Sequence, residues 1–164
     1  MSEYVWAKIE IGGTVSRSVL TNLVDKFDVA PPAPEGAGVT ASGAGPYLVC
    51  EDDEATSGMF EGLEIYLVEQ AIPFDRASDS GYEHTAELRK FRPAINSGSG
   101  SESQPESDRI LLCDHENHPM VASADIDKAL AETQTREELA ARLIALCGLD
   151  IPALPPVSLI EAAD

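Results

Sequence analysis

Apolar and polar positions alternate from Tyr4 to Ile11, which is the pattern of a half-buried strand. Gly12-Gly13 ends this strand, and Ser16 is the predicted N-cap of the helix that follows. The apolar residues of this helix recur at positions i, i+3, i+4 and i+7 as far as Phe27. The sequence therefore begins with a strand and an amphipathic helix, each with one apolar face.

Shorter patterns predict the remaining elements. A strand is predicted over residues 47–50 and a helix over about residues 56–70. The motif Thr135-Arg-Glu-Glu138 is a capping box, in which two side chains satisfy free backbone amides at a helix start. It predicts a last helix that ends at Gly148. Other predicted elements are an extended piece over residues 72–76 and strands over 85–92, 109–113 and 120–123.

Strands and helices in this order predict a single α+β domain over residues 1–150, with helices packed on a mostly antiparallel sheet. A ferredoxin-like variant is the most specific arrangement that the order favours. Two stretches rich in Pro, Gly and Ser, near residues 31–46 and 94–108, are predicted to be flexible loops. Residues 151–164 are predicted to form a C-terminal tail, either an irregular cover or a mobile segment.

The chain of 164 residues carries 11 Lys and Arg against 29 Asp and Glu, a formal net charge of −18. Apolar residues make up 43%, the share of a globular protein, which excludes a wholly disordered acidic chain. The charge argues against direct binding to nucleic acid or to an anionic membrane, because both are negative. The sequence has no apolar run long enough for a membrane span and no secretory signal pattern, so we expect a cytoplasmic protein.

Cysteine and histidine give little support for a metal site. Cys50, Cys113 and Cys147 are too few for a disulfide framework, and their apolar neighbours favour buried thiols in a reducing compartment. His115 and His118 follow Cys113 at a spacing that zinc ligands use, but no second pair completes a four-ligand site. We therefore interpret this segment as a turn in a hairpin connection, and we expect no metal and no other cofactor.

The sequence also lacks the local motifs of common enzymes. It contains no P-loop, no Gly-x-Gly-x-x-Gly after a strand and no Gly-x-Ser-x-Gly. Close carboxylate pairs arise by chance among 29 acids, and none is marked by an apolar pocket that would raise a pKa. We therefore expect a non-enzymatic protein.

Basic residues cluster in one short segment. Arg76, Arg89, Lys90 and Arg92 supply four of the 11 cations within 17 residues. We favour internal pairing, because each of these cations has acidic neighbours in sequence. The alternative is a small anion- or nucleotide-binding protein or enzyme, in which Arg76, Arg89 and Arg92 frame a phosphate site.

The segment between Lys26 and Arg76 is strongly acidic: its 49 residues hold ten acids and no cation. Residues 51–54 are predicted to precede a helix start, where the helix dipole favours negative charge, and the next acids to lie on the polar side of that helix. Like charges at this density weaken the compact state, so we expect them to be compensated by a basic partner or, in a salt-adapted protein, by high salt. The predicted partner-contact residues are Glu51, Asp52, Asp53, Glu54, Glu61 and Glu64.

In size, acidity and lack of catalytic motifs, the chain resembles small phage and plasmid proteins that inhibit host defence by mimicking DNA. The stretches Ile72-Pro-Phe-Asp-Arg76 and Phe91-Arg-Pro93, followed by a predicted hairpin, are similar to those of small phage-type proteins. The resemblance implies a non-enzymatic inhibitor that occupies the basic nucleic-acid site of a restriction or CRISPR complex in the host cytosol. It supplies no functional residues, so the predicted contact residues depend on the charge pattern alone.

Overall fold

The computed structural model describes residues 3–30, 47–82, 85–95, 106–114 and 116–160. In chain order, the elements are β1 (Tyr4–Ile11), β2 (Thr14–Ser16), α1 (Arg17–Phe27), β3 (Leu48–Thr56), α2 (Glu61–Glu69), β4 (Phe74–Ser78), β5 (Glu87–Arg92), β6 (Ser107–Leu112), α3 (Ser123–Glu132), α4 (Arg136–Leu146) and β7 (Ser158–Ile160). Within these ranges, no helix has both the length and the apolar character needed to cross a bilayer.

Five strands form one sheet in the order β3-β1-β4-β5-β6, and each neighbouring pair is antiparallel. A two-stranded sheet pairs β2 with β7 in parallel. The predicted α+β class with a mostly antiparallel sheet is therefore confirmed. Strands β3 and β4 flank β1 and are joined by α2, which makes one split β-α-β unit, whereas the ferredoxin-like arrangement contains two.

One face of the five-stranded sheet carries the main core. The alternation along β1 buries Ile9 and Ile11 on this face, as the sequence predicts. The strand register places Phe74 beside Ile11 and Phe91 beside Phe74, so the apolar row continues across three strands. Helices α1 and α2 close the cluster with Leu23, Leu63 and Leu67.

The boundary between β3 and α2 differs from the prediction. Strand β3 continues through residues 51–54 to Thr56, and α2 begins only at Glu61. Acidic residues have low β propensity, but here backbone pairing with the neighbouring strand β1 outweighs it. The expectation that residues 51–54 lie just before a helix start is therefore wrong, because they belong to a strand.

The predicted strand over residues 120–123 is absent from the described segment 116–160. Its place is taken by an isolated bridge between Cys113 and Pro119. Pro119 has no N–H to donate to a longer ladder, and α3 already begins at Ser123. Ala122, rather than the predicted Ser123, is the N-cap of this helix.

The predicted capping signals at two helices are confirmed. Ser16 Oγ accepts a hydrogen bond from the amide of Val19 at the start of α1. Thr135 and Glu138 form both halves of the capping box at α4. Gly148 follows α4 with a φ of 67°, the left-handed conformation that a helix C-terminus requires.

The C-terminal tail covers one end of the sheet as far as residue 160. Leu154 is buried, and its carbonyl accepts a hydrogen bond from the Tyr47 hydroxyl. The amide of Gly13 donates to the carbonyl of Pro155, and β7 then pairs with β2. A Cβ atom at Gly12 would overlap that Pro155 carbonyl oxygen, so the close approach of the tail needs glycine there.

The two predicted flexible loops fall largely outside the described residues. Residues 31–46 and 96–105 are not described, and neither are residues 161–164 of the predicted tail. At the end of the second loop, residues 107 and 108 already belong to β6.

Candidate functional site

Most of the predicted contact residues lie on the outermost strand of the sheet. Glu51, Asp52, Asp53 and Glu54 follow one another on β3, and all four are exposed. Glu61 is exposed at the first position of α2. We name these five residues the acidic edge. The structure thus brings together residues that the sequence separates by up to ten positions.

A β-bulge shapes the acidic edge. Ala7 of β1 pairs with Asp52 but Val5 pairs with Ala55, so β3 contains an extra residue between these two pairs. The Asp52 carboxylate accepts a 2.9 Å hydrogen bond from the amide of Glu54, which satisfies a backbone donor at the irregularity. The bulge interrupts the strict alternation of side chains along the strand.

The outer side of β3 is largely unpaired. Within the described ranges, its backbone pairs there only at Val49, with Ala30. Charged residues on such an edge discourage association with other strands, and this is the simplest structural role of the four acids. That role needs no partner, but one or two charges would be sufficient for it.

No Lys or Arg among the described residues forms an ion pair with the acidic edge. Its one hydrogen bond from another side chain in the described ranges is the 2.9 Å bond that the Trp6 indole Nε1 donates to Glu51. The strand register places Lys8 opposite Glu51, but the Lys8 ammonium pairs with Glu10 at 2.8 Å. The other cations that form ion pairs do so with Glu64, Asp75, Glu87, Asp108, Glu132 and Asp150.

A cleft of about 380 Å³ opens beside the acidic edge, between β3 and the start of α2. Its acidic lining is Asp52, Glu54 and Glu61. Its apolar lining includes Phe27, Met59 and Phe60, and Met59 is 46% exposed. The sequence did not predict this cleft, because Phe27, Met59 and Phe60 fit the apolar stripes of two separate helices.

Glu64 does not belong to this surface. It is 3% exposed and points into the interior beneath α2, where its Oε1 accepts a 2.9 Å hydrogen bond from the amide of Phe60. The expectation that Glu64 lies on the polar side of the helix is wrong. The physical reason is that two arginines of the sheet lie below α2 and pair with its carboxylate.

Arg76 and Arg89 sit side by side on β4 and β5 and share Glu64. Arg76 is 1% exposed, and it also pairs with Glu87 at 2.9 Å and donates to the carbonyl of Gly58 at 2.7 Å. Arg89 makes a two-pronged contact with Asp108, at 3.0 and 2.7 Å. Internal pairing, the favoured interpretation of the basic cluster, is therefore present at Arg76 and Arg89, whereas Lys90 forms no ion pair with another described residue.

Hydrogen bonds hold the Arg89 guanidinium firmly in its charged form. Asp108 accepts two of its N–H groups and Glu64 a third, and together they raise the pKa of Arg89 despite the opposing effect of burial. The guanidinium carbon also lies 5.4 Å from the ring centroid of Phe74. An incoming phosphate would have to displace two carboxylates from this arginine.

Arg92 is also committed to internal contacts. It is 3% exposed, and its Nη1 is 2.8 Å from the Asp75 carboxylate. The same Nη1 donates to the carbonyls of Phe74 and Phe91, and Nε donates to the carbonyl of Pro152, which ties β5 to the C-terminal tail. Nη2 is buried and has no hydrogen-bond partner among the described residues. The three arginines of the alternative anion site are thus cross-links within the fold.

The segment after Cys113 has the hydrogen bonds of a turn. The Asp114 carboxylate accepts from the amides of Glu116 and His118, and these bonds lower its pKa. Asn117 has a φ of 62°, which a tight turn requires. His115 lies outside the described residues, and the described part of the chain contains no cluster of three or more potential metal ligands.

The prediction that all three cysteines are buried holds only for Cys113, because Cys50 and Cys147 are both partly exposed. Cys113 is buried and Cys50 half-buried, and burial is the main reason that the pKa of each thiol is raised. A raised pKa keeps a thiol protonated and weakly nucleophilic. These two residues are therefore poor candidates for covalent chemistry.

Comparison with known proteins identifies no relatives. The chain matches no protein-family model, no curated protein and no solved structure. Its function must therefore be argued from its own residues.

Proposed function

We propose that this protein is a non-enzymatic binding protein whose acidic edge occupies the basic nucleic-acid site of a partner protein. The observation that carries the proposal is the run of four consecutive exposed acids on β3, joined by Glu61, none of which forms an ion pair with a described Lys or Arg. A surface of this kind attracts a basic groove by the same electrostatic force that attracts DNA.

The acidic edge presents negative charge toward both faces of the sheet. Successive side chains of a strand point to opposite faces. Asp52 and Glu54 line the cleft together with Glu61, whereas Glu51 accepts a hydrogen bond from Trp6 on the other face. A basic site that surrounds this edge would therefore meet carboxylates on both of its sides.

The wider charge distribution supports the same proposal. Arg76, Arg89 and Arg92 are enclosed by carboxylates and carbonyls, so they do not offset the acidic edge at the surface. The net charge of −18 speeds encounter with a basic partner at low ionic strength. The resemblance in size and acidity to phage proteins that inhibit host defence makes a restriction or CRISPR complex the proposed class of partner.

The test is a capture experiment with the full chain immobilised and a lysate of the source cell. We expect captured proteins that bind nucleic acid and that duplex DNA or raised salt releases. Changing Glu51, Asp52, Asp53 and Glu54 all to Lys should abolish capture, because repulsion replaces attraction.

The matched control changes four exposed acids elsewhere to Lys, so that both variants carry the same net charge. Suitable positions are Asp25, Glu69, Asp79 and Asp127. The control should retain capture of the same proteins with weaker salt dependence. Two results would show that the acidic edge is not the binding surface. One is an equal loss of captured protein in both variants, and the other is captured protein that duplex DNA does not release.

A further inference from the structure

The cleft beside the acidic edge combines two features that a simple charged surface lacks. Asp52, Glu54 and Glu61 line it with carboxylates, while Phe27, Met59 and Phe60 line it with apolar groups. The cleft, of about 380 Å³, is shallow and open to solvent, and polar groups form more of its lining than apolar groups do. It can therefore receive one side chain whose charged end stays near solvent.

We propose that this cleft receives an arginine side chain of the basic partner. The inference rests on the proposed function and names the group that anchors it. Exposed ion pairs by themselves contribute little to affinity, so a charged interface needs an anchor that is also desolvated. A cleft with apolar walls and an acidic rim provides such a position.

The chemistry of the lining favours arginine. Its three methylene groups pack against apolar surface while the charged head stays at the rim. The planar, weakly hydrated guanidinium lies readily against an exposed apolar side chain such as Met59, and its fork of N–H groups pairs with a carboxylate in two parallel hydrogen bonds. Lysine offers a compact, strongly hydrated charge that neither stacks nor pairs in this way.

The carboxylates that line the cleft are available to pair with an incoming cation. In the part of the chain that the structure describes, no Lys or Arg lies within ion-pair distance of Glu54 or Glu61. Asp52 uses its carboxylate for the amide of Glu54 and retains its charge toward the cleft. A guanidinium would therefore enter without displacing an existing ion pair.

Titration with defined peptides, followed by NMR, tests the inference directly. The probe is the acetylated and amidated tripeptide Gly-Arg-Gly, and the matched controls replace Arg by citrulline or by Lys. We expect the Arg peptide to shift the Met59 methyl signal and the amides of Phe60 and Gly62, with saturation in the millimolar range. Citrulline has the same shape without charge, so it should bind at least tenfold more weakly, and so should Lys.

A shape variant separates the cleft from its charge. A Cβ atom at Gly62 would meet Phe27 Cε1 at 3.7 Å, an ordinary contact, so a side chain can start from this exposed helical position without a backbone clash. Gly62→Leu fills the cleft and keeps all the acids, and we expect it to weaken the Arg peptide at least tenfold. Gly62→Ala is the control for the substitution itself and should bind within about twofold of the original protein, since it adds one methyl group.

The double variant Glu54→Gln with Glu61→Gln provides a second test that leaves the cleft open. It should also weaken the Arg peptide at least tenfold. Equal binding of the Arg, Lys and citrulline peptides, or full binding by Gly62→Leu, would overturn the inference. If capture from lysate still depends on the acidic edge in that case, the proposed function stands and only the arginine anchor fails.

Discussion

Arg89 of β5 donates a 2.6 Å hydrogen bond from Nη1 to Oε2 of Glu64, which lies 25 residues earlier on α2. The same carboxylate contacts Arg76 through its other oxygen, at 3.2 Å from Nε. One buried carboxylate thus joins a helix to two strands. The arrangement explains how so acidic a chain places arginines in its interior without leaving their charge uncompensated.

Glu64→Gln should destabilise the protein strongly, although the side chain keeps its shape. Arg76 is 1% exposed and would keep Glu87 as its one carboxylate partner. Removing one member of a buried ion pair costs roughly 3–5 kcal/mol, and the remaining pair places the expected loss near the lower end. Urea denaturation measures this loss in the free energy of unfolding. The control is Glu61→Gln, an exposed position on the same helix, which should change the free energy of unfolding by no more than about 0.5 kcal/mol. A loss below about 1 kcal/mol for Glu64→Gln would contradict the structural role.

Phosphate and nucleotides should not stabilise the protein. The guanidinium groups of Arg76, Arg89 and Arg92 already bind carboxylates or backbone carbonyls. A ligand at a hundred times its Kd would stabilise the fold by about 2.7 kcal/mol, which a thermal-shift assay detects easily. We expect no change beyond that produced by chloride at the same ionic strength. A saturable rise in Tm with phosphate would instead favour an anion-binding protein.

Neutralising the acidic edge should stabilise the isolated protein at low salt. The quadruple variant with Gln at Glu51 and Glu54 and Asn at Asp52 and Asp53 keeps the amide oxygens that accept from Trp6 and from the backbone. Relief of like-charge repulsion should raise the free energy of unfolding by roughly 1 kcal/mol. The gain should disappear in molar salt, where the Debye length is about 3 Å.

The same measurement distinguishes a salt-adapted protein from a binding protein. Adaptation to salt predicts that the original chain is markedly more stable in molar salt. It also predicts that a charge-matched control, with Asn at Asp25, Asp79 and Asp127 and Gln at Glu69, gains as much stability as the variant with amides at the acidic edge. A binding surface predicts that the gain is concentrated at the acidic edge. Equal gains from both variants would favour salt adaptation.

Asp114 should titrate below the ordinary aspartate pKa of about 3.9. The amides of His118 and Glu116 donate to its carboxylate, which favours the charged form and lowers its pKa. For an acid with a lowered pKa in the folded state, the stabilisation is present above the unfolded pKa and is lost as the pH falls through the folded pKa. An NMR titration of the Asp114 carboxylate should therefore give a midpoint below about 3.9. A midpoint at or above 3.9 would contradict these hydrogen bonds.

Local signals in the sequence predict the elements that depend on neighbouring residues. The alternation along β1, the Ser16 cap and the Thr135 capping box each act over a few residues, and all three are confirmed. The α+β class follows from the order of such elements. These features require no knowledge of distant contacts.

Residues whose environment depends on distant contacts could not be assigned in this way. Residues 51–54 form a strand because β1 offers its backbone, more than 40 positions earlier in the chain. Glu64 fits the polar side of a helix in sequence but is buried, because Arg76 and Arg89 lie beneath it. Charge composition predicted that the arginines pair internally, but it could not specify their partners.

The pairing of β2 with β7 links positions far apart in sequence: the hydroxyls of Thr14 and Ser158 are 3.2 Å apart across 144 residues. Closing so long a loop carries a large entropic cost before any contact compensates for it, which slows folding. During synthesis, β2 therefore cannot pair with β7 until nearly all of the described chain has emerged from the ribosome. Until then, the apolar groups that the tail covers stay open to chaperones and proteases.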